Sequence, residues 1–470
     1  MAARTSTSNI VTSNLMAGSS PNLRQSSRFV KGSAIPKPSN FDGSGLVAIF
    51  WHPLSILLLC LPFGVVSYYL AWGKTLTFWL NFFAMVPLAK ILGDATEELA
   101  AGLRNDMMAG LLNATFGNAV EMVIMIQTLR NDLFDVVKSS LLGSVLSNTL
   151  LVLGMSFFFG GIVNMGHKHP KLDQPALMVN GRSSSNVLYM DSGEDLNNLS
   201  REQTGLVAEK VQHFPVLSAL VNTSMLLISC LSFSLVTVFR TITHGNTGHS
   251  YMDSTLLPVS RTCSLIIISS YVAYIIFQLV THKNAMMEED DNGAMSDGAE
   301  GGAMEDEDDE PRMSIEMALV IMFGTTVAVA YSSELLVRCI ETVCEEAHIS
   351  MHFIGIILIP IVGNACEHVA AIRFAMKDKP GLAIGIAIGS STQVALFLVP
   401  MSVLVGWILD KDMDLNFGAL NTTVMTLSVV VVLSMIVDGS SNWLQGYLLC
   451  AAYAVVSVLY FYLPNTLADA

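Results

Sequence analysis

The stretch GNAVE at residues 117–121 returns, with one change, as GNACE at residues 363–367. Each copy lies inside a long apolar stretch, where a glutamate is unexpected. Two further pairs of identical residues share the same offset along the chain: Gly143 with Gly389, and Ser144 with Ser390. Six identities at one offset, spread over two apolar segments in each half, indicate an internal duplication.

Composition places the chain in the membrane. Of its 470 residues, 52% are hydrophobic and 13% are charged, whereas a soluble domain carries about 25% charged residues. Twelve acidic residues between Glu288 and Glu310 supply most of the formal net charge of −15, so the acidity belongs to one segment. The seven cysteines show no metal-ligand spacing and mostly fall in apolar segments, which favours reduced packing residues over a disulfide framework.

Eleven apolar segments are long enough to cross a bilayer as helices. All are longer than a membrane β-strand, so the sequence predicts an all-α polytopic membrane protein with 11 transmembrane helices. The predicted segments are residues 48–71, 75–93, 107–128, 138–163, 214–239, 263–281, 316–337, 352–376, 380–406, 419–437 and 445–463.

The duplicated stretches fall in the third and the eighth segments, so the repeat unit has five helices. One half covers residues 75–281 and the other residues 316–463, while residues 48–71 form an extra N-terminal transmembrane helix. Because five is odd, the second half enters the membrane in the opposite sense to the first. Inverted repeats of this kind hold their binding site near the midplane, where we expect Glu121 and Glu367 to face each other.

The other segments are polar. They are a disordered N-terminal tail (1–47), a polar loop (164–212), an acidic linker or helix (282–315) and a C-terminal tail (464–470). The basic residues of the N-terminal tail favour a cytosolic N-terminus by the positive-inside rule, although a transit peptide would have a similar composition. The polar loop and the acidic linker would then also lie in the cytosol.

The two glutamates are the candidate ion-binding and proton-coupling residues. A carboxylate at membrane depth costs about 3 kcal/mol on insertion scales, and it persists where it faces a cavity or has a function. No Lys or Arg stands one helical turn from Glu121 or Glu367. A protonated packing residue is the alternative for one such glutamate, but two in duplicated contexts favour function.

Polar residues of fixed spacing surround the glutamates. Asn118 and Asn364 precede Glu121 and Glu367 by three residues and share their helix faces. The glycine before each asparagine permits close helix approach or local unwinding, and unwinding frees main-chain carbonyls. The candidate metal ligands of the following helices are Ser144, Ser390 and Gln393. This oxygen shell suits Ca²⁺, which takes about six to eight oxygens, and Mn²⁺ is an alternative.

Protons compete naturally for such a site. Two carboxylates close together in a medium of low dielectric constant repel each other, so they hold either protons or one divalent cation. His368 directly follows Glu367 and is a candidate proton relay; a packing role is the alternative. Competition at one site that is reached alternately from each side is the minimal antiporter.

These residues resemble the paired signature regions of the cation/proton exchangers, which include the vacuolar Ca²⁺/H⁺ antiporters within the wider Ca²⁺/cation antiporters. The matching stretches span nearly all of residues 48–463. They are NATFGNAVE (113–121), PIVGNACEH (360–368), ATEELA (95–100), residues 139–154, GSSTQ (389–393), and Asp438-Gly439 with Asn442-Trp443.

The resemblance implies a fold and a transport cycle. The family has an extra N-terminal helix and two inverted five-helix halves, joined by a cytosolic acidic helix. Its members move cytosolic Ca²⁺ into vacuoles or other acidic stores in exchange for protons. Sliding of the helices that correspond to residues 75–93 and 316–337 is thought to switch access. In the resemblance, Glu121 and Glu367 match the ion-binding acids, and the asparagines, serines and Gln393 match their polar partners.

The sequence thus predicts a secondary active antiporter, not an enzyme, that exchanges cytosolic Ca²⁺ for protons in the membrane of the vacuole or another acidic organelle. We expect no cofactor and no nucleic-acid partner; the partners are Ca²⁺, H⁺ and the lipid bilayer, and homo-oligomerisation stays open. The alternatives are exchange of Mn²⁺ for H⁺ or of Ca²⁺ for Na⁺ on the same fold. A cation channel is remote, because a channel normally has a symmetric ring of filter loops.

Overall fold

The computed structural model describes residues 43–103, 108, 111–112, 115–164, 211–244, 249–282 and 313–463. Most of the N-terminal tail, the polar loop and the acidic linker therefore lie outside the described residues, as does the C-terminal tail. The seven cysteines all lie within the described residues and are free, in agreement with the packing role predicted for them.

The described residues are mainly helical. Three of the longer helices contain a π-helical turn, at Ser147–Val152 in α5, Ile354–Leu358 in α10 and Val394–Leu398 in α12. A π-helical turn also extends α7 to Thr281. The helices are α1 (Gly43–Phe50), α2 (Cys60–Tyr69), α3 (Lys74–Gly102), α4 (Ala119–Arg130), α5 (Phe134–Val163), α6 (Val216–His244), α7 (His249–Ile276), α8 (Ile315–Val337), α9 (Ile340–Ala347), α10 (Met351–Gly363), α11 (Ala365–Met376), α12 (Pro380–Ile408), α13 (Ala419–Ile436) and α14 (Trp443–Tyr462).

The membrane character agrees with the sequence, but the count of eleven spans is not confirmed. Among the described residues, eight helices are long and apolar enough to cross a membrane, and nine if the bent pair α10–α11 counts as one span. The predicted segment 48–71 divides into α1, a 3₁₀ turn (Pro53–Leu59) and α2. The predicted segment 107–128 is described as a helix mainly over α4, because several residues before Thr115 lie outside the described part.

Local sequence fixes where several helices begin. The Ser314 hydroxyl accepts a hydrogen bond from the Met317 amide at the start of α8. At the start of α14, Asn442 and Gln445 cap each other's main-chain amides over 3.0 and 3.1 Å. These caps satisfy amides that have no partner within their own helix, which explains why each helix begins directly after a polar residue.

Burial separates inner helices from outer ones. Within the apolar 18-residue stretch of α5, 72% is buried inside the protein, and the corresponding share in α3 and in α12 is 61%. In α8 and α14 it is 22%. Large apolar side chains such as Phe323 and Leu231 remain exposed on the outer helices, as expected of surfaces that face lipid. The inner helices α5 and α12 carry serines of the duplication.

Two short helices, one in each half, begin and end at equivalent positions of the duplication. Helix α4 begins at Ala119 and ends at Arg130, and α11 begins and ends at the equivalent positions of the second half, Ala365 and Met376. The predicted segment 352–376 is not one straight helix, because its axis turns by 59° between α10 and α11. The turn falls at Asn364, between the glycine and the glutamate of the duplicated stretch.

The C-terminal end of the predicted polar loop is paired with another part of the chain. Residues Gln212–His213 (β1) pair with Ser440–Ser441 (β2) in a two-stranded antiparallel sheet. The Gln212 side chain donates to the main-chain oxygen of Ala375 over 3.1 Å and to Asp378 over 2.7 Å. The loop therefore ends against the C-terminus of α11, the helix that carries Glu367.

Candidate functional site

Helix breaks position both glutamates. Asn118 and Asn364 are the residues before α4 and α11, and neither has helical backbone angles. Glu121 and Glu367 therefore lie in the first turn of a helix, where main-chain amides have no partner within the helix and favour negative charge. Helix α10 ends at this break, and the C-terminal end of a helix carries a partial negative charge that suits a cation. Sequence reasoning predicted this unwinding from the glycines.

The carboxylates have unused oxygens. Glu121 is 8% exposed, and neither of its carboxylate oxygens has a hydrogen-bond partner among the described residues. The Oε2 atom of Glu367 is also buried without a partner there. Glu121 lies against Gly363, four residues before Glu367, since a Cβ atom added to Gly363 would be 3.0 Å from Glu121 Oε1. Buried polar atoms are nearly always satisfied, so these oxygens fit a bound cation, protons or water.

Two serine–asparagine pairs join the halves of the duplication. The Ser144 hydroxyl donates to Asn364 Oδ1 over 3.0 Å, and the Ser390 hydroxyl donates to Asn118 Oδ1 over 3.0 Å. Each pair connects one half with the other, and the constant offset between the duplicated stretches converts one pair into the other. The structure thus brings together four of the residues predicted from spacing.

Gln393 completes this set. Its Oε1 accepts a hydrogen bond from Asn118 Nδ2 over 2.7 Å. The equivalent asparagine behaves differently, because Asn364 Nδ2 donates to the main-chain oxygen of Ser144 over 3.2 Å. The two halves of the site are therefore related but not identical.

A cavity of about 450 Å³ reaches the site from one end of the bundle. Glu367 and Asn118 lie in its inner wall, while Pro215, Gln278 and Gly381, close to helix ends, lie in its outer part. We call this the near end; Gln212 and Asp378 meet there. Further lining residues from the duplicated stretches are Gly117, Gly363, Cys366, Gly389, Ser390 and Gln393.

At the opposite, far end of the bundle, two ion pairs join distant parts of the chain. Lys138 Nζ lies 2.7 Å from Asp414 Oδ1, and both side chains are more than four-fifths buried. Lys411 Nζ lies 2.6 Å from Asp132 Oδ1. The pocket beside Lys138 holds only about 40 Å³. Among the described residues, the cavity beside Glu367 therefore extends towards the near end, and ion pairs connect the chain at the far end.

The candidate proton relay His368 is partly buried. Its Nδ1 lies 2.8 Å from the main-chain oxygen of Asn364, one turn back in the same helix. Because a carbonyl can only accept, Nδ1 carries the proton. This contact neither joins His368 to Glu367 nor excludes a relay through Nε2, so its role stays a prediction.

Sequence reasoning missed several polar residues near the site. Asn148 Nδ2 donates to the Ser390 hydroxyl over 3.0 Å, and Asn222, Tyr274 and Gln278 lie in the cavity wall. The signal for Asn148 was available, since a fully buried asparagine in a transmembrane helix needs a partner. The cavity residues come from α6 and α7, which lie far along the chain from the duplicated stretches.

The donor set is one of hard oxygens. Among the described residues there is no cluster of three or more His, Cys, Asp or Glu that could hold a metal ion. The candidate ligands are two carboxylates with amide and hydroxyl oxygens, a donor set that suits a hard divalent cation.

The sequence matches a known family in both halves. The profile of the family described as sodium/calcium exchanger protein matches residues 73–190 and 317–462. These ranges contain the two duplicated stretches together with the serines and Gln393.

Individual relatives cover most of the chain. Vacuolar cation/proton exchanger 3 of Arabidopsis thaliana is 34% identical over 409 residues, which are 87% of this chain and 78% of the relative. Vacuolar cation/proton exchanger 3 of Oryza sativa subsp. japonica is 35% identical over 415 residues, 88% of this chain and 87% of the relative. The solved structure of the Ca²⁺/H⁺ antiporter YfkE is 29% identical, with a TM-score of 0.63, and the similarity covers 87% of this chain and 99% of that structure.

Proposed function

Because the chain belongs to the sodium/calcium exchanger protein family and its relatives are vacuolar cation/proton exchangers, we propose that it exchanges cytosolic Ca²⁺ for protons from an acidic compartment. The observation that supports this most directly is the pair of buried glutamates with unpartnered oxygens, one of which lies in the wall of the near-end cavity. The protein is then a transporter of the vacuole or another acidic organelle, rather than an enzyme.

The coupling of Ca²⁺ transport to proton transport follows from the charge of the two glutamates. With both carboxylates ionised, the site carries two negative charges that one Ca²⁺ neutralises. When Ca²⁺ leaves, the repulsion between Glu121 and Glu367 in a medium of low dielectric constant favours protonation. The cation and the protons therefore exclude each other, and neither the doubly loaded nor the empty, fully charged site is stable within the membrane. Asn118, Asn364, Ser144, Ser390 and Gln393 supply further oxygens for the cation.

Alternating access accounts for the difference between the two ends. We assign the near end to the cytosol, because the segments leading to the polar loop and the acidic linker end there, and the positive-inside argument places the N-terminus on the same side. Two inverted five-helix halves, over residues 75–281 and 316–463, would allow the site to reopen towards the far end. Helix α3 packs along α8, which fits the predicted sliding of this pair.

Transport into proteoliposomes tests the function. We expect an imposed proton gradient to drive uptake of ⁴⁵Ca²⁺, and we expect Glu121→Gln or Glu367→Gln to reduce it to background. Loss of one charged ligand weakens cation binding by roughly 10- to 100-fold, and glutamine cannot release a proton. Glu345→Gln, at an exposed position of α9, is the matched control and should transport normally.

Competition identifies the ion. Ca²⁺ uptake that persists without a proton gradient but follows Na⁺ would contradict the proposal in favour of Na⁺/Ca²⁺ exchange, and preferential uptake of ⁵⁴Mn²⁺ would favour Mn²⁺/H⁺ exchange. Unitary currents without proton coupling would indicate a channel. Normal transport by both glutamate variants would overturn the assignment of the site.

A further inference from the structure

A hydrogen-bond chain leads into the site from a residue outside the duplicated stretches. Asn148 lies in the π-helical turn of α5, and its side chain is fully buried. Its Nδ2 donates to the Ser390 hydroxyl, which donates to Asn118 Oδ1, and Asn118 Nδ2 donates to Gln393 Oε1. The three distances are 3.0, 3.0 and 2.7 Å. The chain therefore links α5 and α12 to the residue that precedes α4.

The direction of this chain is set at Asn148. An amide nitrogen can only donate, so Asn148 Nδ2 occupies a lone pair of the Ser390 oxygen. The serine proton is then free to point at Asn118 Oδ1. With its oxygen accepting from Ser390, the Asn118 amide turns its nitrogen towards Gln393. A single donor at position 148 thus fixes the orientation of Asn118, three residues before Glu121.

The other half of the site has no such residue. The position equivalent to Asn148 in the second half is Val394, which cannot donate from its side chain. Among the described residues, the Asn364 amide is instead held by Ser144, through the serine hydroxyl and the serine main-chain oxygen. The two candidate asparagine ligands are therefore oriented by different means.

The asparagine at position 148 is not explained by its own packing. Its Oδ1 is buried and has no hydrogen-bond partner among the described residues. An unsatisfied buried oxygen costs free energy, and a valine such as that at position 394 would avoid this cost. The contact that Asn148 does make is the one with Ser390, a cavity-lining residue.

We propose that Asn148 is a positioning residue of the cation site that orients the Asn118 side chain through the Ser390 hydroxyl. The inference rests on the proposed transport function and adds a residue that the duplication does not supply. The two asparagines then differ. The orientation of Asn118 depends on Asn148, which lies outside the Ser390–Asn118 pair, whereas Asn364 is held by its own pair partner, Ser144.

A double-mutant cycle tests this inference. In proteoliposomes with a fixed proton gradient, we expect Asn148→Val to raise the KM for Ca²⁺ about fivefold, as loss of one neutral hydrogen bond would, with a smaller change in maximal rate. Ser390→Ala should raise the KM as well. If Asn148 acts through Ser390, Asn148→Val in the Ser390→Ala background should have no further effect. Additive effects of the two changes would overturn the proposal.

Controls separate positioning from folding and from the transport function itself. Thr149→Val is the matched control, because the Thr149 hydroxyl donates to the Val145 main-chain oxygen within its own helix; its KM should stay unchanged. Asn148→Ser, whose side chain is too short to reach Ser390, replaces Asn148→Val if that variant does not fold, and it should raise the KM equally. An unchanged KM in a folded Asn148 variant would refute the inference. The wild-type protein is measured in parallel, and its Ca²⁺/H⁺ exchange tests the proposed function independently of Asn148.

Discussion

At the scale of single residues, the site depends on how closely a carboxylate approaches a glycine. A Cβ atom added to Gly363 would lie 3.0 Å from Glu121 Oε1 and 3.2 Å from Glu121 Cδ. The first glutamate therefore packs against the main chain of the second duplicated stretch. This contact gives Gly363 a specific role within the close approach that the sequence predicted as one of two alternatives, because it identifies the Glu121 carboxylate as the neighbour.

Gly363→Ala tests this contact. The added methyl group must displace the Glu121 carboxylate by a few tenths of an ångström, and overpacking of this kind costs about 1–3 kcal/mol. We expect the KM for Ca²⁺ to rise roughly tenfold, with the protein still folded, as measured by ⁴⁵Ca²⁺ uptake and size-exclusion chromatography. Gly385→Ala is the control, since a Cβ there meets no atom within 4 Å; an equal effect in both variants would contradict the assigned contact.

At the scale of helices, the duplicated glycines have diverged in their packing. A Cβ on Gly143 would lie 2.2 Å from the Ile356 main-chain oxygen, so α5 and α10 approach each other backbone to backbone at this point. Gly389, at the equivalent position of α12, faces open space in the cavity wall. One glycine therefore holds two helices together, and the other keeps the cavity open.

The two glycines should respond differently to the same substitution. Gly143→Ala forces α5 and α10 apart, since main-chain atoms cannot be moved aside as a flexible side chain can. We expect a loss of about 3 kcal/mol or more in the free energy of unfolding, seen as a lower Tm in detergent. Gly389→Ala should leave the Tm unchanged and alter transport only through the cavity. Equal Tm values for the two variants would disprove this reading of the helix contact.

At the scale of the whole molecule, ion pairs at the far end join distant parts of the chain. Asp132 and Lys138 flank the start of α5, and Lys411 and Asp414 belong to the segment between α12 and α13. This segment is further attached by the Leu415 amide, which donates to the Ser260 hydroxyl over 3.2 Å. In the proposed transport cycle, we expect these contacts to separate when the site opens to the far side.

Asp414→Asn should weaken these contacts. It leaves the mostly buried Lys138 without its counter-ion, which costs more than an exposed pair would. We expect a cysteine introduced as Asn421→Cys, in the wall of the far pocket, to react about tenfold faster with a membrane-impermeant maleimide applied from the far side. Asp412→Asn, an exposed neighbour on the same segment, is the control, and no difference between the two variants would exclude a gating role for the pair.

The transmembrane helices and the site residues were predictable to a useful degree. Apolar runs predicted helices because a membrane allows few other ways to satisfy the main chain, and the constant offset of the duplication identified Asn118, Ser144, Asn364 and Ser390 before their contacts were known. The 59° turn at Asn364 could be located but not measured. The prediction ended the second segment at residue 93, whereas α3 continues to Gly102. The extension was missed because its residues are polar, and a search for apolar stretches does not detect polar helix residues that line a cavity.

The sequence by itself determined that the chain is a helical membrane protein built on a duplication, and that two glutamates within apolar stretches, with oxygen-rich surroundings, are its chemical centre. These properties follow from local composition and from spacing along one chain. Only the tertiary structure decided that each serine pairs with the asparagine of the other half, that Asn148 donates to Ser390 in one of these pairs, and that a cavity extends from Glu367 to the near end. Such contacts depend on the relative placement of helices that belong to different halves of the chain, which spacing cannot encode.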